Sequence, residues 1–147
     1  MTQNRRRLAL AMALTSSLAI ALTFAGSAAA SGRPFTTSLA GPNEVPVSGD
    51  PNATGTAKIW INPGTETVCW AISVQNVDPI LAAHIHLAPA GSPGPVVVPL
   101  NPYTGGCATI ARSLALAIIR NPSAYYVNVH NAVYPGGAAR GQLSRTP

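Results

Sequence analysis

The sequence predicts an all-β domain, a β-sandwich or Greek-key barrel carrying one short helix. Three observations support this. The 147 residues include 13 glycines and 14 prolines scattered along the chain, which argues against long helices. An apolar share of 47% is too high for a disordered chain. From Phe35 onward, short strand-like runs are separated by regular turn residues, the pattern of strands joined by tight connections.

The first strand is Phe35–Leu39, followed by Gly41-Pro42-Asn43, Glu44-Val45-Pro46 and a polar loop from Ser48 to Asn52. Thr54–Ile61 pairs with Thr67–Val77 through Asn62-Pro63-Gly64-Thr65. Proline in the second place and glycine in the third suit a type II turn. Within Thr67–Val77, the apolar Val68, Trp70, Ile72 and Val74 alternate with Cys69, Ala71, Ser73 and Gln75, giving a core face and an outer face. Further strands are expected at Ala82–Leu87, Pro95–Leu100, Tyr125–His130 and Ala138–Leu143, with Ala88 to Pro95 a surface loop. Ser113 to Arg120 is the one helical segment: Ser113 suits the N-cap, Arg120 suits the C-terminal dipole, and Pro122 ends it. Pro135-Gly136-Gly137 reverses the chain into the last strand.

Residues 1–30 read as a secretory signal peptide. Arg5, Arg6 and Arg7 form the positive region, Leu8 to Ala25 is apolar and uncharged, and Ala28-Ala29-Ala30 supplies a small-x-small site with cleavage after Ala30. The remaining single domain, 31–147, is expected outside the cytoplasm, whether released, periplasmic or in the cell wall, with no membrane span. The formal charge of +5 includes those three arginines; without them six basic side chains face four acidic ones. No Lys/Arg cluster remains, so the chain lacks the electrostatic footprint of a nucleic-acid binder. Cys69 and Cys107 are the only cysteines. An even count in an exported chain points to a disulfide. Because Cys69 falls on the outer face, this disulfide would fasten the loop carrying Cys107 to the outside of the sheet.

All three histidines lie in strand-like segments. His84 and His86 are two residues apart and therefore share a face of their strand, with Ile85 and Leu87 expected in the core. In the later strand, Val127 and Val129 take the core face while Asn128 and His130 take the opposite one. If the two strands are neighbours, three imidazoles converge, a donor set that suits copper or zinc. Strand histidines also commonly serve only as hydrogen-bonding groups. The four carboxylates, Glu44, Asp50, Glu66 and Asp78, are scattered, which gives no paired-carboxylate hydrolase. No Gly-x-Ser-x-Gly or His-Glu-x-x-His motif occurs. Arg140 either guides an anion toward the histidines or, in the reading preferred here, pairs with Glu44 or caps carbonyls at a strand end. Tyr103, Tyr125, Tyr126 and Tyr134 are read as half-buried strand tyrosines.

Several motifs occur in order: Leu39-x-x-x-x-Glu44-Val45-Pro46, Thr54-Gly55-x-Ala57, Ala83-His84-Ile85-His86, Gly94-Pro95-Val96-Val97, Tyr126-Val127-Asn128-Val129-His130 and Pro135-Gly136-Gly137-x-x-Arg140-Gly141-Gln142-Leu143. Together, over about residues 35–144, they resemble the CHRD domain, the module named from chordin and also found singly in exported microbial proteins. The resemblance implies an extracellular immunoglobulin-like or superoxide-dismutase-like Greek-key sandwich and supplies no catalytic set. A looser likeness is to copper/zinc superoxide dismutases, which use a His-x-His strand and a later strand histidine for copper. His84, His86 and His130 match that much of the pattern, while a bridging histidine and a full zinc site are missing.

Two functions follow as expectations. The preferred one is a non-catalytic extracellular binding or structural module whose partner is a protein or a glycan. The other is a copper- or zinc-binding protein, open to redox chemistry, built on the three histidines. Glu44, Asn128 and Arg140 are further candidate site residues in either case.

Overall fold

The computed structural model describes residues 32–146. The expected signal peptide and its cleavage after Ala30 lie outside the described residues. Nine strands form one antiparallel sheet: β1 (Arg33–Ala40), β2 (Thr54–Asn62), β3 (Thr67–Gln75), β4 (Ala82–Leu87), β5 (Val96–Pro99), β6 (Gly105–Thr109), β7 (Tyr125–His130), β8 (Ala139–Gln142) and β9 (Ser144–Arg145). Among the described residues one α-helix, α1 (Arg112–Arg120), lies between β6 and β7. The strand order is β5-β4-β7-β8-β1-β2-β3-β6, with β9 pairing to β1. β1 and β8 share one register pair, Ala40 with Arg140, so the sheet has two halves joined at a narrow seam, β5-β4-β7-β8 on one side and β1-β2-β3-β6 with β9 on the other. One apolar cluster draws on both halves, with Phe35, Ile59, Val68 and Trp70 from one and Ile85, Val127 and Val129 from the other. The sheet therefore curls round a single core, as a sandwich requires. Ala115 and Ile118, three apart on α1, turn to the same core.

The period-two reading of the strands largely holds. Val68, Trp70 and Ile72 are buried while Ala71, Ser73 and Gln75 are exposed. The Cys69–Cys107 disulfide is present and does not cross the core. Cys107, however, lies on a strand rather than a loop: β6 pairs with β3 and sets Cys107 directly opposite Cys69. Two glycines at its start conceal this strand. Gly105 and Gly106 offer no strand-forming side chain, and they lie against Trp70, whose indole N–H donates to Pro102 O at 2.8 Å.

Other expectations require correction. The β2–β3 connection is not a type II turn, since Gly64 is not left-handed; Glu66 takes the positive φ of 54°. Asn62 explains the difference: its Oδ1 accepts from the backbone N–H groups of Gly64 and Thr65, a local alternative to the turn bond. Ser113 is not the N-cap. The helix begins at Arg112 after Ala111, which makes no capping side-chain bond, and Arg112 instead donates to Pro63 O at 2.7 Å. β3 stops at Gln75 because Asn76 turns left-handed, with φ 64°. Leu87 is 42% exposed, since it ends β4 beyond a register irregularity between Ile85 and His86. The expected strand Ala138–Leu143 divides into β8 and β9 around the buried Leu143.

The disulfide closes a separation of 38 residues, so its loss should cost about 2–4 kcal/mol. Denaturant unfolding of a Cys69→Ala/Cys107→Ala variant checks this. An unfolding midpoint equal to that of the parent would mean that β6 is held by its ladder and the Trp70 packing alone.

Candidate functional site

Strand pairing gathers the polar residues into one patch. β4 and β7 are neighbours, with His84 opposite Asn128, His86 opposite Tyr126 and Ala82 opposite His130. β7 and β8 are neighbours too, with Asn128 opposite Arg140 and Tyr126 opposite Gln142. Since Ile85, Val127 and Val129 point into the core, His84, His86, Tyr126, Asn128, His130, Arg140 and Gln142 share the other face. Most of this face is covered. His86 is 8% exposed, Asn128 2% and Arg140 2%.

The three imidazoles converge as the sequence suggests. Each offers a ring nitrogen within 4.8 Å of the others, and His84 Nδ1 lies 3.1 Å from His130 Nε2. Backbone carbonyls fix two of the tautomers. His86 Nδ1 donates to Gly94 O at 2.8 Å and His130 Nδ1 donates to Pro135 O at 3.0 Å. Both residues therefore keep a lone pair on Nε2. His130 Nε2 accepts from His84 Nδ1–H at 3.1 Å, while Asn128 Oδ1, itself an acceptor, lies 3.0 Å from that lone pair without a shared proton. His86 Nε2 is buried and has no hydrogen-bond partner. Burial holds all three imidazoles below their usual proton affinity, His84 to about 4, where the neighbouring His130 and His86 add repulsion. Neutral imidazoles are the ligating form. An ion about 2.0–2.1 Å from each nitrogen needs separations of up to about 4 Å, a small contraction of the widest gap.

Glu44 and Arg140 are both buried beside this cluster but form no ion pair within 4 Å. The Arg140 guanidinium donates to Ser92 O and Pro89 O, each at 2.9 Å. Of the expected roles, the capping of carbonyls therefore holds and direct pairing with Glu44 does not. The carbonyls belong to the loop of residues 88–95 rather than to a strand end. Guidance of an anion fares worse, because Tyr126 stands between Arg140 and the histidines: the Arg140 Cζ sits 3.4 Å over its ring, and His86 stacks on it at 4.7 Å. Glu44 is 4% exposed, and its Oε1 has no partner. Burial pushes its carboxyl up to about 7, against the opposing pull of the Arg140 charge, the Asn128 amide and the Val45 backbone. Gly137 makes room for it: with φ at 145°, a Cβ there would lie 2.4 Å from the Glu44 carboxyl carbon.

Sequence reasoning missed Gln142, Gly94 and the covering role of residues 88–95. Gln142 Nε2 donates to Ala88 O and Ser123 O, both at 2.7 Å. The Tyr126 hydroxyl accepts from Gly94 N–H at 3.3 Å. Period-two continuation would have found the two side chains, since Gln142 follows Arg140 by two and Tyr126 precedes Asn128 by two. Gly94 carries a steric signal that appears only in three dimensions: a Cβ there would lie 2.0 Å from Leu87 O.

Compared with protein families, residues 35–143 match the CHRD domain. No curated protein and no solved structure matches the chain. Among the described residues, no helix is long and apolar enough to cross a membrane.

The site makes stability depend on pH in two opposing ways. The unfolded chain binds more protons at the three histidines, so their contribution rises as pH rises toward 6.5, for His84 from about 4 upward. Glu44 binds its proton more tightly when folded, so its contribution is lost as pH rises from 4.5 through about 7. Glu44→Gln, which mimics the protonated carboxyl, should therefore melt above the parent at pH 8 and close to it at pH 5. Thermal melts of the metal-free proteins read both; a variant less stable than the parent at pH 8 would contradict the burial cost of the carboxylate.

Proposed function

The chain belongs to the CHRD-domain family, and on that footing we propose that it is an extracellular binding module whose ligand is a single copper ion held by His84, His86 and His130. The observation that carries this reading is the buried, partnerless Nε2 of His86. A buried acceptor left without a bond costs about 1–3 kcal/mol. Here its ring is held by Gly94 O, and the lone pair lies within ligating reach of two further imidazoles. A metal ion is the partner that the arrangement lacks. Carbonyls on the far nitrogens of His86 and His130 are the usual outer partners of metal-bound imidazole.

Imidazole donors suit copper and zinc alike, and the order of divalent affinities favours copper. His84 Nδ1, His86 Nε2 and His130 Nε2 would be the ligands, with His84 giving up its bond to His130. Asn128 would steady the His130 side of the site. The apolar segment at the N-terminus and the extracellular setting of the family support export. Metal binding is the activity proposed.

Elemental analysis tests this on protein exported by its native route without a histidine tag. About one copper per chain is expected, lost in His86→Gln with the fold intact. Free copper at about 100 times its dissociation constant should add about 2.7 kcal/mol of stability. A folded protein without stoichiometric metal, and with a melting temperature unmoved by copper or zinc, would contradict the proposal. The histidines would then be structural, and the ligand would be sought among extracellular proteins and glycans.

A further inference from the structure

We infer that Arg140 is a positioning residue for His86: it clamps the covering loop whose carbonyl decides which nitrogen of His86 is free. The consequence for metal rests on the copper reading, while the positioning itself rests on geometry alone.

Arg140 is 2% exposed, and among the described residues no carboxylate lies within ion-pair distance of it. Burying a guanidinium without a paired anion is costly, and an apolar side chain would pack β8 more cheaply. Its donors go to Ser92 O and Pro89 O, two carbonyls three residues apart on one loop. Its flat face lies on the Tyr126 ring, 3.4 Å from the centroid. Both paths end on His86. Through the loop, Arg140 fixes the segment that leads to Gly94, whose carbonyl accepts from His86 Nδ1. Through the ring, it backs Tyr126, which stacks on the imidazole with an interplanar angle of 12° and whose hydroxyl accepts from Gly94 N–H. Only a planar fork can bridge two carbonyls and stack at once, so lysine is not an equivalent. Gln142 holds the same loop at Ala88 O. When the loop relaxes, His86 Nδ1 loses its acceptor and the ring proton is free to move to Nε2, which blocks the lone pair.

Imidazole nitrogen-15 spectra of the metal-free protein test this directly. In the parent, His86 should show the proton on Nδ1 alone. In Arg140→Lys it should become a mixture of tautomers, while His130, held by Pro135 O, should stay unchanged. Copper affinity should fall about 10–100-fold. Gln142→Ala should shift His86 in the same direction, more weakly, and stands in for Arg140→Lys if that variant does not fold. A His86 tautomer unchanged in the folded variant would overturn the inference. So would a joint shift of His86 and His130, which would mean general loosening. A parent that binds no copper while His86 still follows Arg140 would sink the copper reading and leave the positioning role standing.

Discussion

Burying the polar face of a β-sheet is unfavourable unless each group on it finds a partner. The outer face of β4, β7 and β8 is such a face, and the rest of the site follows from how it is satisfied. Carbonyls do most of the work. Gly94 and Pro135 take the imidazole protons, while Pro89, Ser92 and Ala88 take Arg140 and Gln142. Among the described residues two buried side-chain atoms are left over, Glu44 Oε1 beside this face and His86 Nε2 on it. The first is eased by protonation, since burial raises the Glu44 carboxyl to about 7. The second is a neutral lone pair that protonation eases poorly, because burial lowers the proton affinity of His86. The proposed copper ion would resolve it without adding a charged side chain to the interior.

The same constraint explains how charge is arranged. Arg140 and Glu44 lie close enough to influence one another, yet each is held by something other than an ion pair. The guanidinium is spread over loop carbonyls and the Tyr126 ring, so its charge is delocalised into fixed dipoles rather than matched by a carboxylate. Asn128 stands between Glu44 and the histidines, its side chain bonding the Glu44 carboxyl and its Oδ1 lying 3.0 Å from His130 Nε2. This arrangement keeps the three imidazoles neutral while leaving a carboxyl nearby that titrates near neutral pH.

Much of this was legible in the sequence because strand geometry has a strict period of two. That period puts His84 with His86 and Asn128 with His130, and adjacency of β4 with β7 completes the cluster. The same rule placed Cys69 outside the core. The chain hid what depends on distant contacts. β6 opens with Gly105 and Gly106, which lack strand-forming side chains, so Cys107 looked like a loop residue. Gly64 looked like the turn residue until the Asn62 side chain claimed the local N–H groups. In the sequence Arg140 reads as a partner of Glu44 or of carbonyls at a strand end, because nothing local reveals that residues 88–95 fold over it. Sheet faces follow from spacing, whereas loop placement depends on hydrogen bonds between segments about 50 residues apart, such as Arg140 to Ser92.

The most direct measurement of the central claim is anomalous X-ray scattering at the copper edge from crystals grown with one equivalent of copper. One peak is expected, about 2.0–2.1 Å from His84 Nδ1, His86 Nε2 and His130 Nε2, with His86 Nδ1 still bonded to Gly94 O. A well-ordered His84–His130 hydrogen bond with copper absent, or a peak elsewhere on the protein, would contradict it.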